Sequence, residues 1–344
     1  MVLAADGTTS CIAGASSSEA AAVPAGRVAA YVDLDLVGDA LIKLPFVRAL
    51  RDAYPRAELI WIAGRGPTAY ADALAPLTTG LLDRVIERSG VGRGLHAALG
   101  GRLDLLIDTQ SRVATTLALR LLRPRRFISA AADFWLSEVR PRPGYRKPRR
   151  LVRRLLDLAE LSSGRPARPA GAPVLPAAAA ERAARLLPPG PCYVAQAVGA
   201  GGRHKAWPAE RHIALAHALL AAGRQPVMIL GPAEQEALGP LQAAVPTARF
   251  PLQEAGEVTP ALTIALGARC AAAVAADCGA GHMLAASGAP MVSLFGPTDP
   301  EKFAPWAERL TILRAQAHGG AEMHHIPPAP VLAAVEALLA ESRA

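Results

Sequence analysis

From Val28 onward the chain alternates short apolar runs with amphipathic stretches, and the alternation occurs twice. The first series reads VAAYVD, a helix after Gly38, ELIWIA, a second helix, RVIE and LDLLID, then a helix over about 111–122 and the run RFIS. Apolar runs of about four to eight residues separated by helical stretches suit parallel strands joined by crossover helices, because such strands are covered on both faces. The pattern pauses at SSGRPARPAGAPVLP, residues 162–176, whose proline and glycine density is that of a linker, and a domain boundary is expected there. It restarts with CYVAQAV, a helix over 208–222, QPVMIL, CAAAVAAD and PMVSLFG. The expectation is an α/β chain of two Rossmann-like halves with no sequence repeat between them. Ligands of such sheets gather beyond the carboxyl ends of the strands, so a cleft between the halves is the expected site.

Composition sharpens this. With 51% apolar but only 4% aromatic residues, the cores must be filled by Leu, Val, Ile and Ala, and 344 residues are enough for two of them. A net charge of +8 favours acidic partners such as phosphates, anionic lipid or nucleic acid. Cys11, Cys192, Cys270 and Cys278 form no C-x-x-C pair and have no histidine at ligand spacing, so neither zinc nor a disulfide framework is expected and a reducing compartment fits. The most apolar stretch, 261–276, is interrupted by Arg269 and reads as helix, turn and strand, not as a membrane span. The first 25 residues, rich in Ala, Ser and Gly without a basic start, make a poor signal peptide and read as a disordered extension or a misplaced start.

Four stretches could carry chemistry. In YVDLDLVGDALIKLP the aspartates Asp33, Asp35 and Asp39 admit three interpretations: a metal-binding D-x-D, a base at Asp39, or turn and cap residues. In AADCGAGHMLAASGAPMVSLFGPTDP a strand ends at Asp277, the chain turns through Cys278 and Gly279, and a helix bearing His282 begins; small residues there would let a phosphate reach free amides at the positive helix end. The bland alternative makes Asp277 an N-cap and His282 a packed residue. In QAVGAGGRHKAWP a glycine-rich run through Gly199, Ala200, Gly201 and Gly202 delivers Lys205 ahead of a helix starting at Pro208, either toward a diphosphate or as a solvated loop lysine. In GPAEQE, Glu234 is either a sugar-binding or a helix-start carboxylate.

Taken together, VGDALIKLPFVRAL, GAGGRHKAWP and the D-C-G-x-x-H helix with its GPTDP turn resemble glycosyltransferase family 9, the ADP-heptose:lipopolysaccharide heptosyltransferases and their relatives. The resemblance runs over nearly the whole chain from Val28. It implies a GT-B fold, two Rossmann-like domains facing each other across a cleft. An acceptor-binding domain is expected over 26–165, a linker over 166–176 and a nucleotide-sugar-binding domain over 177–344. Cys278 stands where the family usually has Ser or Thr, and Val198 where it usually has Pro, so a hydroxyl toward the phosphate is lost while the backbone amides at Cys278 and Gly279 remain.

The resemblance selects Asp39 as general base, with Gly38 leaving room for an acceptor hydroxyl beside it. A carboxylate can take this proton because the acceptor hydroxyl becomes more acidic as the new C–O bond forms. The implied reaction is direct displacement with inversion. The nucleoside diphosphate leaves toward Lys205 and the amides near Gly279, Asp277 and His282 shape the donor pocket, and Glu234 lies on the ribose or base side. Lys205 and the helix end would neutralise the diphosphate without a metal, so no metal or other cofactor is expected and Asp33 and Asp35 read as strand-closing loop residues. The basic run 139–154, with Arg149, Arg150, Arg153 and Arg154, suits a phosphorylated glycolipid acceptor or an anionic membrane at the cytoplasmic face. A solvated linker is its plain alternative. A non-catalytic nucleotide-sugar binder is the rival function, and nucleic-acid binding rests on charge alone and is not expected.

Overall fold

The computed structural model describes residues 25–167 and 172–341. The disordered extension expected over residues 1–25 therefore lies outside the described residues up to 24, as does the middle of the expected linker. The chain divides at residues 170–171 into two compact units, each with its own sheet.

The amino-terminal unit holds β1 (Arg27–Val32), β2 (Glu58–Ala63), β3 (Arg84–Glu87), β4 (Leu105–Asp108) and β5 (Arg126–Ser129). All pair in parallel in the order β3-β2-β1-β4-β5. The apolar runs ELIWIA, RVIE and RFIS are β2, β3 and β5 residue for residue. One face packs Tyr31, Ile60, Ile62, Leu106 and Phe127 against Leu95, Leu99 and Leu119 of the crossover helices. Between β1 and β2 runs the helix Val37–Ala53, and the helix Leu151–Ser163 closes the unit. That last helix takes in Ser162 and Ser163, so the proline- and glycine-rich stretch begins only at Gly164. Gly164 takes the left-handed conformation (φ 69°) that ends a helix cheaply only in glycine.

The carboxyl-terminal unit holds β6 (Tyr193–Val198), β7 (Gln225–Leu230), β8 (Ala272–Ala276), β9 (Met291–Phe295) and β10 (Leu310–Arg314), parallel in the order β10-β9-β8-β6-β7. Alternate residues of β8 face opposite ways. Ala273 and Ala275 join a core with Leu262, Leu266 and Leu284, while Ala272, Val274 and Ala276 join another with Leu215, Val331 and Val335. Alanine in the central strand lets helices lie close on both faces, which is how a chain so poor in aromatics fills its interior.

In each sheet the strand order reverses once, between β1 and β4 in the first unit and between β6 and β8 in the second. Loops leaving the two strands at such a reversal diverge, one to each face of the sheet, and open a crevice at the carboxyl ends.

Candidate active site

The loop after β6 and the helix after β8 meet at the second reversal. Gly199 ends β6 with φ 98°, and a β-carbon there would lie 2.4 Å from Glu234 Cγ. Both the backbone sign and the carboxylate laid across it demand glycine. Glu234, in the short 3-10 turn Pro232–Glu234 after β7, is thereby brought onto the Gly199 loop, and burial raises its carboxyl above the usual range. The loop continues through Ala200 to the 3-10 turn Arg203–Lys205. It is anchored by Trp207, whose buried indole donates to the Ile326 carbonyl at 2.9 Å. Held in this way, the half-buried Lys205 donates from Nζ to Asp277 Oδ2 at 3.2 Å. Four of the donor-side candidates, Gly199, Glu234, Lys205 and Asp277, therefore converge as two touching pairs at one reversal.

The helix Gly279–Ala286 starts at the same place, but Asp277 is not its cap. Cys278 is: its Sγ accepts the Gly281 amide at 3.3 Å. The thiol does within the helix what a hydroxyl would do, and its burial pushes its pKa up to about 11, so it stays a neutral thiol. Two glycines of the helix have different reasons. At Gly281 a β-carbon would strike Ala275 Cβ at 2.9 Å and the Ala276 carbonyl at 3.0 Å, which lets the helix start lie against β8. At Gly279 a β-carbon meets nothing within 4 Å. His282 is buried on the first turn. In the GPTDP turn, Asp299 caps a short helix by accepting the Glu301 amide at 3.0 Å.

In the first unit the three aspartates part company. Asp35 is buried and fully engaged: it accepts from the buried Lys43 ammonium, from Trp61 Nε1 at 2.9 Å and from Thr68 Oγ1 at 3.3 Å. As expected it lies in the loop after β1, where it is a structural hub tying that loop to β2 and to the helix Val37–Ala53. That engagement removes it from any D-x-D pair. Asp33 lies at the crevice, accepting from Tyr31 at 3.3 Å, with Arg65 Nε at 3.5 Å and Arg112 Nη1 at 3.8 Å. Asp39 is exposed, and among the described residues its carboxylate has no hydrogen-bond or ion-pair partner. The N-cap alternative fails because Leu36 occupies the cap, with no side-chain bond, and Asp39 is the third residue of the helix. Gly38 precedes it in the same turn.

Arg65 and Arg112 were not singled out in the sequence, although each follows a strand end by a few residues, the position at which a cation at a crevice is expected. Asp108, also missed, is a packing residue: its buried carboxyl accepts from Thr116 Oγ1 at 2.6 Å and Ser129 Oγ at 2.9 Å, and burial raises its pKa.

The basic run needs one correction. Arg153 does not face outward; its guanidinium bonds Asp157 at 2.7 Å and Glu160 at 2.6 Å, two carboxylates buried on its own helix. Arg149 is exposed, while Arg150 and Arg154 are partly so.

Comparison with known proteins agrees with this architecture. Over 116 residues, 33% of the chain and 33% of the relative, it is 33% identical to lipooligosaccharide heptosyltransferase 2 of Haemophilus influenzae. Over 157 residues, 42% of the chain and 45% of the relative, it is 30% identical to lipopolysaccharide heptosyltransferase 2 of Escherichia coli. The alignments thus span less than half of these curated relatives. The solved structure of E. coli ADP-heptose lps heptosyltransferase II superposes with a TM-score of 0.67 at 20% identity, over 92% of this chain and 100% of that one, which shows the GT-B fold. Residues 94–328, from the helix after β3 through the Asp277 block, match the family model described as glycosyltransferase family 9 (heptosyltransferase), a stretch that begins after Asp39. The chain belongs to glycosyltransferase family 9.

Proposed function

We propose that this chain is an inverting glycosyltransferase that moves heptose from ADP-heptose to a lipopolysaccharide core or related surface glycan. The observation that carries the proposal is the convergence of Lys205, Asp277, Gly199 and Glu234 with a free-facing helix start at one strand-order reversal. That is the arrangement a nucleoside diphosphate needs. The relatives' names support the sugar and the acceptor class.

In the proposed reaction the first unit binds the acceptor and the second the donor. Asp39 takes the proton from an acceptor hydroxyl as that oxygen attacks the anomeric carbon. The bond from that carbon to the diphosphate oxygen breaks with inversion, and ADP departs. A carboxylate with no internal partner is free to accept that proton. Negative charge growing on the departing diphosphate is met by Lys205, which Asp277 holds in place, and by the amides at Cys278 and Gly279. Ala200 and His282 line the donor side, and Glu234 bonds ribose or base. The scheme needs no cofactor. Arg149, Arg150 and Arg154 draw the phosphorylated glycolipid and keep the protein peripheral at the cytoplasmic face of an anionic membrane.

The test is direct. Purified protein is incubated with ADP-heptose and a heptose-free lipid acceptor, and ADP release and acceptor mass are followed. Release of ADP with a matching gain of one heptose is expected. Tight ADP-heptose binding with no transfer to any core acceptor would make the chain a binder instead.

A further inference from the structure

Most of the exposed large apolar side chains of the described residues cluster in the first unit: Leu34, Leu36, Val113, Leu117, Leu121 and Trp135. Three of them, Val113, Leu117 and Leu121, recur every fourth residue and so share one face of the helix Val113–Arg120 and its cap. Leu121 is 81% exposed and Trp135 74%. The helix end and the Trp135 loop are one surface, because the Arg120 guanidinium donates to the Leu136 carbonyl. Arg140 then donates to the Trp135 carbonyl at 3.3 Å and lies 5.8 Å over its ring.

The backbone is bent to produce this. Ala132, Asp133 and Phe134 all have positive φ, 48°, 51° and 64°, a left-handed run that residues with side chains rarely sustain. Its result is a division of two neighbouring aromatics. Phe134 is buried against Tyr145, ring to ring at 5.7 Å, and Trp135 is left outside. Had burial alone been served, the larger ring would have been the one turned inward.

The rim is cationic. Residues 109–154 contain 13 Arg and Lys against two Asp and Glu, in a chain whose total is +8. Arg112, Arg120, Arg123 and Arg140 are exposed around the stripe. An apolar stripe with a tryptophan at its edge and arginines around it matches the layering of a lipid interface: acyl chains below, ring at the headgroups, guanidinium at the phosphates.

We infer that the stripe of Val113, Leu117 and Leu121 with Trp135 inserts shallowly into the surface of an anionic bilayer, with the surrounding arginines on lipid phosphates. The inference deepens the proposed peripheral contact by adding an apolar anchor to an electrostatic one. It rests on that contact and not on the identity of the sugar.

The experiment is flotation of the purified protein with vesicles of phosphatidylcholine and phosphatidylglycerol, at low and high salt, with Trp emission read in parallel using brominated lipid. Wild type should float, with quenched and blue-shifted emission that disappears in Trp135→Ser. The exposed-site double variant Leu117→Ser, Leu121→Ser should keep its melting temperature and lose about tenfold or more in partitioning, since each tenfold corresponds to about 1.4 kcal/mol of lost burial. A variant reversing Arg149, Arg150 and Arg154 to Glu should lose the salt-sensitive part only. Unchanged flotation of the leucine variant, or no quenching in wild type, overturns the insertion, and if the arginine variant still fails to float, the electrostatic contact survives alone. Conversion of a dimer to a monomer by the leucine variant, with flotation intact, overturns it in favour of a second copy of the chain as the occupant. Transfer to a delipidated acceptor should be the same in all leucine variants.

Discussion

The two strand-order reversals are built differently. At β1/β4 the chain places carboxylates: Asp35 and Asp108 are buried and bonded into the frame, Asp33 is shared among Tyr31, Arg65 and Arg112, and Asp39, on the helix that follows, has no partner among the described residues. At β6/β8 it places glycines, a helix start and the Lys205 ammonium, with the Asp277 carboxylate on that ammonium and Glu234 laid across Gly199. The first arrangement can accept a proton; the second can hold an anion. A transferase that separates base from leaving group needs one of each, and the proposed reaction uses the two halves in that way.

The comparison can be broken most forcefully at Asp35. If its role is to hold the frame, Asp35→Ala strands the buried Lys43 ammonium and should destabilise the protein by roughly 3–5 kcal/mol, read by denaturant unfolding. Double replacement with Asp35→Leu and Lys43→Met should recover much of that. A loss within a few tenths of a kcal/mol would mean that Asp35 is not structural and would return it to the chemistry.

On the anion side, Lys205→Ala should lower turnover by about 10²-fold while melting stays near wild type, on the scale of removing one preorganised charge. Unchanged single-turnover rates would remove Lys205 from the reaction.

The two glycines of the Gly279–Ala286 helix sharpen the same side. Gly281→Ala must displace Ala275 or the Ala276 carbonyl and should destabilise by about 1–3 kcal/mol. Gly279→Ala meets nothing in the protein, so it should leave melting unchanged or slightly raised and still weaken ADP binding by calorimetry. Wild-type ADP affinity in Gly279→Ala would show that no anion approaches those amides.

The smallest effect concerns the frame of the second unit. His212, buried beside Gln196 at 3.1 Å, has its pKa pushed down to about 3 by loss of solvent. The unfolded chain, with an ordinary value near 6.5, binds the extra proton between those limits. The stabilisation is therefore whole above about pH 6.5 and is lost as pH falls toward 3. Melting temperatures across this range should fall less steeply in His212→Gln than in wild type; equal slopes would mean that His212 titrates normally.

What the sequence revealed follows the same division. Strands whose apolar runs are bounded by turn residues, such as ELIWIA and QPVMIL, were legible to the residue because all but their first residues are buried, which leaves a continuous signal. The strand LTILR was not singled out; edge position is not the reason, since the edge strands RVIE, RFIS and QPVMIL were, but its burial is lost toward Arg314. At β6/β8 a candidate site was legible, because glycines, a lysine and two carboxylates gather just beyond strand ends. On the carboxylate side it was not, since Asp33, Asp35 and Asp39 look alike in one dimension, and only the folded positions of Lys43, Trp61 and Thr68 separate them. The cap at Cys278 was missed for a similar reason: a thiol is a weak acceptor, and Asp277 beside it is a better one on composition alone.

The central claim, that the carboxylate side supplies the base and Asp39 is that base, is tested by Asp39→Asn. Asn preserves shape and helix position but cannot take the acceptor's proton. The account predicts turnover lower by about 10² to 10⁴ under conditions where chemistry limits the rate, with ADP-heptose affinity and melting temperature near wild type and with Asp33→Asn as a control that keeps most activity. Retention of more than about a tenth of wild-type turnover by Asp39→Asn would contradict it.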